Sequence, residues 1–484
     1  MTVEVGESVP ATATAVGVAV GTSDDVSDEL GLDRARLEAA GFDASVGATL
    51  VVPTQDGPMM VAVGVGDPAA LDAAALRNAA AAFARAVSSH AALAFALAGT
   101  EAVAPEHAAQ SIVEGVLLAR YRYDPLRSTP KGTALSALSL VVGSDGSPAA
   151  TGGAERGRLM ASATQLARDL ANTPHSHLNA TGLAEAATAL GADRGLGVDV
   201  FDQDDLVGMG CGGLLGVNAG SAEPPRMVKL SYRPDGVEPS GRLALVGKGI
   251  MYDSGGIALK PGDEVHAQMK NDMSGAAAIL AAMSVLPELG CSTAVTGYLM
   301  CTDNMPSGTA MALGDVITMR GGTTVEVVNT DAEGRLVMAD ALVLATEESV
   351  DAIVDIATLT GACMRALGTQ VAGVIGNDQG LVDQVRAAAD ATDEPVWQLP
   401  LEKRYRPELD STVADLKNLG GANAGAITAA LFLAEFVGDH PWAHVDIAGT
   451  AQSPSDTGWR TAGCSGFGAR LLVDLALDFA PPRV

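Results

Sequence analysis

Apolar and polar residues alternate in short blocks through the first part of the chain. Thr49 to Pro53 and Met59 to Val65 read as strands, and the Ala-rich stretches Ala69 to Ser88 and Ala108 to Arg120 read as helices. LSLVVG, Leu138 to Gly143, has the length and continuous apolar character of a buried strand. Strands and helices in this alternation predict an α/β module. Ser144 to Gly157 is rich in Gly, Ser, Pro and Ala without apolar periodicity and reads as a linker. A smaller N-terminal domain is therefore expected over residues 1–155 and a larger C-terminal one over 156–484.

Beyond the linker, a helix is expected from about Arg158 to Leu170, stopped by Pro174. Leu243 to Ile250 reads as a strand running into a glycine turn, and a helix follows from near Asp272. Strands near Ala294 to Met300 and Val325 to Val328, a helix from Leu336 to Ala345 and a strand from Ala352 to Leu359 complete the pattern. These elements predict a mixed or parallel sheet with helices on both faces. The chain shows no internal repeat.

Composition narrows this picture. At 484 residues the chain is too long for one ordinary core. Apolar residues make up 48% and aromatics only 4%, so the core is built mainly from Ala, Val and Leu. A formal charge of −28 repels phosphate backbones and anionic membranes, which argues against nucleic-acid and membrane partners. Five scattered cysteines (Cys211, Cys291, Cys301, Cys363, Cys464) form no C-x-x-C pair and read as inert buried thiols. The N-terminal segment lacks a basic leader pattern, and apolar stretches such as Ala91 to Ala98 are far short of a bilayer span. A soluble intracellular protein is expected.

Lysine is rare, with seven in the chain, yet Lys248, Lys260 and Lys270 fall within 23 residues. They belong to V-G-K-G-I-M-Y-D-S-G-G-I-A-L-K (Val246 to Lys260) and K-N-D-M-S-G (Lys270 to Gly275), and N-T-D-A-E-G-R-L follows far downstream (Asn329 to Leu336). Each segment follows a predicted strand, so all could converge beyond the carboxyl ends of a sheet. Asp331 and Glu333 are two apart and would leave an extended backbone on one face; Asp253 and Asp272 would add two more carboxylates. Four carboxylates together raise one another's pKa unless compensated, and two divalent cations would neutralise all four. None of the seven histidines lies in these motifs, so oxygen donors carry the site. Lys248 could donate nitrogen only as a neutral amine. Taken singly, each segment is better read as a surface turn; taken jointly, the lysines and the strand-to-loop placement favour a common site.

These segments resemble the signatures of the leucyl (cytosol) aminopeptidase family, peptidase family M17. The octapeptide Asn329 to Leu336 is that family's hallmark, and Val246 to Gly256 is nearly as specific. The similarity runs from about Arg168 to the C-terminus, through RDLANTP, GSAEPPR, NMPSG, DIATLTGA, ADLKNLGG, GAITAALFLAEFV and HVDIAGTA. It implies two domains, a smaller macro-like α/β N-terminal domain and a catalytic α/β domain. It also implies Lys248, Asp253, Asp272, Asp331 and Glu333 as ligands of two divalent metals (Mn or Zn, with Mg or Co as alternatives), Asp253 and Glu333 bridging. Lys260 and Arg335 match the family's catalytic side chains, Arg335 holding a bicarbonate. Met269, Asn329, Thr358, Leu359, Thr360, Gly361 and Ala451 fall where substrate is bound. Hydrolysis of the N-terminal residue from small peptides, in a cytoplasmic homohexamer, is the implied activity.

Three features depart from the family pattern. The spacing from Lys260 to Asp272 is one residue longer, Ser274 stands where glycine is common, and Leu313 replaces a proline. A narrow dipeptidase, a DNA-binding regulator disfavoured by the charge, and an inactive homologue remain the competing expectations.

Overall fold

Val- and Ala-rich runs become strands here because helices cover both sheet faces, the setting in which continuous rather than alternating apolar runs are stable. The structure, a computed structural model, describes residues 1–23, 26–143 and 147–482. The chain divides into two units, Met1–Gln165 with Ser453–Gly463, and Leu166–Gln452 with Cys464–Val484.

The first unit holds strands β1 (Thr2–Gly6), β2 (Ala15–Gly21), β3 (Thr49–Val52), β4 (Met59–Gly66), β5 (Ala92–Ala96) and β6 (Ala137–Val141) in the order β1-β6-β5-β2-β4-β3. All pairs are parallel except β3 with β4. β2 and β5 lie at its centre and were not legible from composition, since Gly and Ala are weak strand formers. Gly17 of β2 is required by packing: a Cβ there would lie 2.7 Å from the Phe95 ring of β5. The expected helix from Ala69 begins at Ala73 instead, because Asp72 caps it by accepting from the Ala75 N–H at 2.8 Å. The second expected helix runs Pro105–Ala119.

The linker reading fails over its described part. Residues from Ser147 onward belong to one helix, Ser147–Asn172; Ser144, Asp145 and Gly146 lie outside the described residues. The glycines that suggested a linker serve close helix packing. A Cβ on Gly153 would stand 1.9 Å from the Glu106 carbonyl, and one on Gly157 2.6 Å from that of Gln110, both on the helix Pro105–Ala119.

The second unit is built on an eight-stranded sheet. Its strands are β7 (Gly197–Phe201), β8 (Arg226–Tyr232), β9 (Arg242–Asp253), β10 (Ala294–Asn304), β13 (Ala352–Ala357), β14 (Ala372–Gly376), β15 (Val396–Gln398) and β17 (Trp442–Asp446). Their order is β15-β14-β17-β13-β9-β10-β8-β7. A separate small sheet contains β11 (Val316–Thr318), β12 (Thr324–Glu326) and β16 (Leu416–Lys417). The fold is thus two α/β units with mixed sheets flanked by helices, as expected. β17, β13, β9 and β10 run parallel to one another, so their carboxyl ends open on one edge. The buried helices Ser274–Met283 and Gly334–Thr346 pack around this sheet with almost no exposed side chain.

Candidate active site

The site assembles at that carboxyl edge from three chain segments. β9 carries Lys248 and ends at Asp253; Gly255 and Gly256 then turn the chain with φ of +88° and +64°. Glycine is needed there twice over, because a Cβ on Gly255 would lie 2.8 Å from Asp331 Oδ1 and one on Gly256 2.7 Å from Asn304 Oδ1. Asp272 comes from the 3₁₀ turn Met269–Met273 that leads into the helix Ser274–Met283. Asp331 and Glu333 come from the loop joining β12 to the helix Gly334–Thr346.

This loop corrects one expectation. Glu333 has helical dihedrals (φ −79°, ψ −36°), so Asp331 and Glu333 do not share a face of extended backbone. A turn at the helix entry aims them instead. The preceding strand also belongs to the small sheet rather than the large one.

The four carboxylates converge around two lysines. Lys248 Nζ stands 2.7 Å from Asp272 Oδ2 and 2.8 Å from Glu333 Oε1. Lys260 Nζ stands 2.7 Å from Asp253 Oδ2 and 2.5 Å from Asp331 Oδ1. One oxygen each from Asp253, Asp331 and Glu333 lie within 4.8 Å of one another. Lys248, Asp253, Asp272 and Glu333 are buried, and Asp331 is the exposed member. The third lysine of the sequence cluster, Lys270, serves the backbone instead and donates to the Asn172 carbonyl at 2.5 Å.

Burial decides the electrostatics. It pushes the Glu333 carboxyl up to about 8, with the Asp253 charge adding to the rise, and the Asp272 carboxyl up to about 6. Asp331 is raised for the same reason. Burial alone would lower Lys248 and Lys260, but the surrounding carboxylates outweigh it and raise both. With all four carboxyls ionised, two ammoniums would leave two negative charges uncompensated within this cluster, and Glu333 Oε2 is buried with no hydrogen-bond partner among the described residues. An oxygen-rich, electron-rich donor set of this kind fits a hard or borderline divalent cation.

Arg335 is the second residue of the helix Gly334–Thr346. It donates through Nη1 to the Asn418 carbonyl at 2.8 Å, while its Nε has no partner among the described residues. Burial lowers its pKa to about 10, which still leaves it protonated at neutral pH.

Of the expected substrate residues, Thr358 joins the cluster directly. Its hydroxyl donates to Asp272 Oδ1 at 2.7 Å, and its carbonyl accepts from Lys248 at 3.1 Å. Leu359 and Thr360 follow β13 and donate their N–H groups to Asp446, and Thr360 caps the helix Gly361–Leu367. Asn329 shapes the loop by accepting from the Asp331 N–H at 2.9 Å. Met269 opens the turn that holds Asp272, and Ala451 follows β17; no hydrogen bond joins Met269, Gly361 or Ala451 to the carboxylates among the described residues.

Two families of match follow from this architecture. Residues 165–473 match the model of the cytosol aminopeptidase family, catalytic domain, and residues 29–130 match that family's N-terminal domain. The chain belongs to the cytosol aminopeptidase family. A probable cytosol aminopeptidase of Streptomyces avermitilis is 45% identical over 458 residues, covering 91% of this chain and 88% of the relative. One of Chlorobaculum tepidum is 47% identical over 382 residues, covering 77% and 75%. Among solved structures, the bottromycin maturation enzyme BotP in complex with Mn superposes with a TM-score of 0.88 at 38% identity, covering 96% of this chain and 99% of that one. As a member of this family the protein is a peptidase, a hydrolase of the aminopeptidase class.

Residue patterns had left part of this cytosol aminopeptidase site unread. Asn304 donates to Asp253 Oδ1 at 2.8 Å and to the Thr330 carbonyl at 2.9 Å, tying together the two segments that carry Asp253 and Asp331. Thr330 Oγ donates to the Gly255 carbonyl at 2.7 Å and accepts from the Ala258 N–H. Neither residue is charged, and their only sequence signal was membership of NMPSG and NTDAEGRL. The five cysteines are buried and unpaired as expected, and no helix among the described residues is long and apolar enough to cross a membrane.

Proposed function

We propose that this protein is a two-metal aminopeptidase that removes N-terminal residues, leucine among them, from small peptides. The observation that carries the reading is the convergence of Asp253, Asp331 and Glu333 within 4.8 Å beside two lysines. Lys248, Asp253, Asp272, Asp331 and Glu333 would hold two divalent ions, Mn or Zn with Mg or Co as alternatives. Such ions supply Lewis acidity and lower the pKa of water toward neutrality.

The remaining chemistry falls to the chain. Lys260 stays protonated among the carboxylates and stabilises negative charge developing on the scissile carbonyl oxygen. Arg335 is no base, since it keeps its proton at neutral pH; its role is to hold a bicarbonate-type anion by paired hydrogen bonds. A substrate's free α-amine would be held as a ligand of one of the two divalent ions, which would restrict cleavage to the first residue. Met269, Asn329, Thr358, Leu359, Thr360, Gly361 and Ala451 are the proposed substrate wall. Residues 1–155 are the proposed macro-like N-terminal domain, and a cytoplasmic homohexamer is the proposed state, which light scattering tests.

The deciding experiment removes metal by chelation and adds back manganese, zinc, magnesium or cobalt separately. Leucine anilide hydrolysis is expected to vanish and return, while the N-acetylated anilide stays intact. Chelated protein that hydrolyses leucine anilide at the full rate would overturn the reading.

A further inference from the structure

The loop from Val327 to Glu333 has little to hold its own shape. Within it, Asp331 N donates to Asn329 Oδ1 at 2.9 Å and Ala332 N to the Asn329 carbonyl at 3.3 Å. Its two carboxyl side chains are paired with Lys248 and Lys260, and Thr330 ties it to Gly255 and Asn304, but these contacts leave the backbone groups of Val328, Asn329 and Ala332 to be held by another residue. Something outside the loop must fix it.

We propose that Asn418 is the positioning residue that locks this loop and Arg335 into one geometry. This rests on the proposed function for its catalytic meaning. Asn418 follows β16, which pairs in parallel with β12 (Val325 with Leu416, Glu326 with Lys417), and its N–H donates to the Glu326 carbonyl at 3.0 Å. The side chain is fully buried. Its Oδ1 accepts from the Val328 N–H at 2.9 Å and the Asn329 N–H at 3.3 Å. Its Nδ2 donates to the Asn329 carbonyl at 2.7 Å and the Ala332 carbonyl at 3.3 Å. A primary amide has two donor hydrogens and two acceptor lone pairs. All four are engaged by this one loop, and the main-chain carbonyl of the same residue accepts from Arg335 Nη1.

The arrangement is specific to an amide. Asp has the same shape but turns Nδ2 into an oxygen facing two carbonyl oxygens, so the loop must move. A serine cannot span the loop. Outer partners that orient metal-binding groups typically carry about 10–100-fold in metal affinity or activity.

The test compares Asn418→Asp and Asn418→Ser with Leu416→Ala, which opens a cavity under the same strand without touching the clamp. Three readouts are taken: Mn²⁺ affinity by calorimetry, kcat and KM on leucine anilide, and Tm without metal. Both Asn418 variants are expected to lose about 10–100-fold in Mn²⁺ affinity and in kcat, with KM within about threefold. Leu416→Ala should lower Tm at least as far while keeping affinity and kcat within about threefold. The clamp is overturned if Asn418→Asp keeps both quantities, or if Leu416→Ala loses them equally at matched Tm. Wild-type protein that binds Mn²⁺ but cleaves no anilide sinks the proposed function, while the affinity comparison still judges the clamp.

Discussion

Lys248 Nζ stands 2.8 Å from Glu333 Oε1, joining the middle of one buried strand to the cap position of a buried helix. The contact is possible only because the next residue, Gly334, has no side chain. A Cβ there would lie 2.4 Å from Lys248 Cε and 2.7 Å from Nζ.

Gly334→Ala is therefore expected to displace the ammonium from Glu333. The backbone is helical at this position, so alanine costs the helix nothing. The outcome is a folded protein with kcat lowered at least about tenfold, since a displaced group near the reacting atoms loses its orientation. Steady-state kinetics beside circular dichroism checks it, and wild-type kcat in the variant would contradict the tight fit.

Metal affinity should depend on pH. Burial raises Glu333 to about 8 and Asp272 to about 6 in the metal-free site, so both hold protons over ranges where exposed carboxylates do not. A cation must displace those protons. Apparent Mn²⁺ affinity should fall as pH is lowered from 8 to 6, approaching roughly tenfold per pH unit for each proton displaced. Calorimetry in buffers of different ionisation enthalpy should register proton release; flat affinity with no release contradicts the assignment.

Stability should follow the opposite slope through Asp340. Its carboxylate is fully buried, accepts the Leu214 and Arg320 N–H groups at 2.9 Å each, and is pushed up to about 7, mainly by burial. A raised folded pKa favours the folded state below about 4 and loses that contribution as pH climbs through 7. With chelator present, wild-type Tm should fall between pH 5 and 8, and Asp340→Asn should show a shallower fall. An unchanged slope in the variant would remove Asp340 from the account.

Gly153→Ala tests the helix that replaced the expected linker. The new methyl would meet the Glu106 carbonyl at 1.9 Å and force two helices apart. A cost of about 1–3 kcal/mol is expected from such overpacking, read by urea denaturation. A flexible linker at this position would accept alanine with no loss.

Much of the candidate site was legible because it is built from rare residue types in long motifs. Lys248, Lys260, Asp253, Asp272, Asp331 and Glu333 stood out as charges placed among glycines at strand ends, and the structure brings all six together. The uncharged residues that arrange them did not stand out. Asn304 and Asn418 act through amide geometry, and an asparagine in a sequence looks the same whether it makes a turn or ties down two loops. The misread linker has a related cause: Gly153 and Gly157 signal freedom in isolation but close approach in a packed pair of helices.

The chain by itself determined the α/β class, the family and which charged groups are candidates for its chemistry, because strand length, helix pattern and motif are local properties. Only the tertiary structure decided which lysine faces which carboxylate, that Glu333 reaches the cluster from a helix entry, and that Lys270 serves a backbone carbonyl instead. Those outcomes depend on contacts between segments up to 98 positions apart, where burial sets protonation and spacing in sequence carries no information about distance in space.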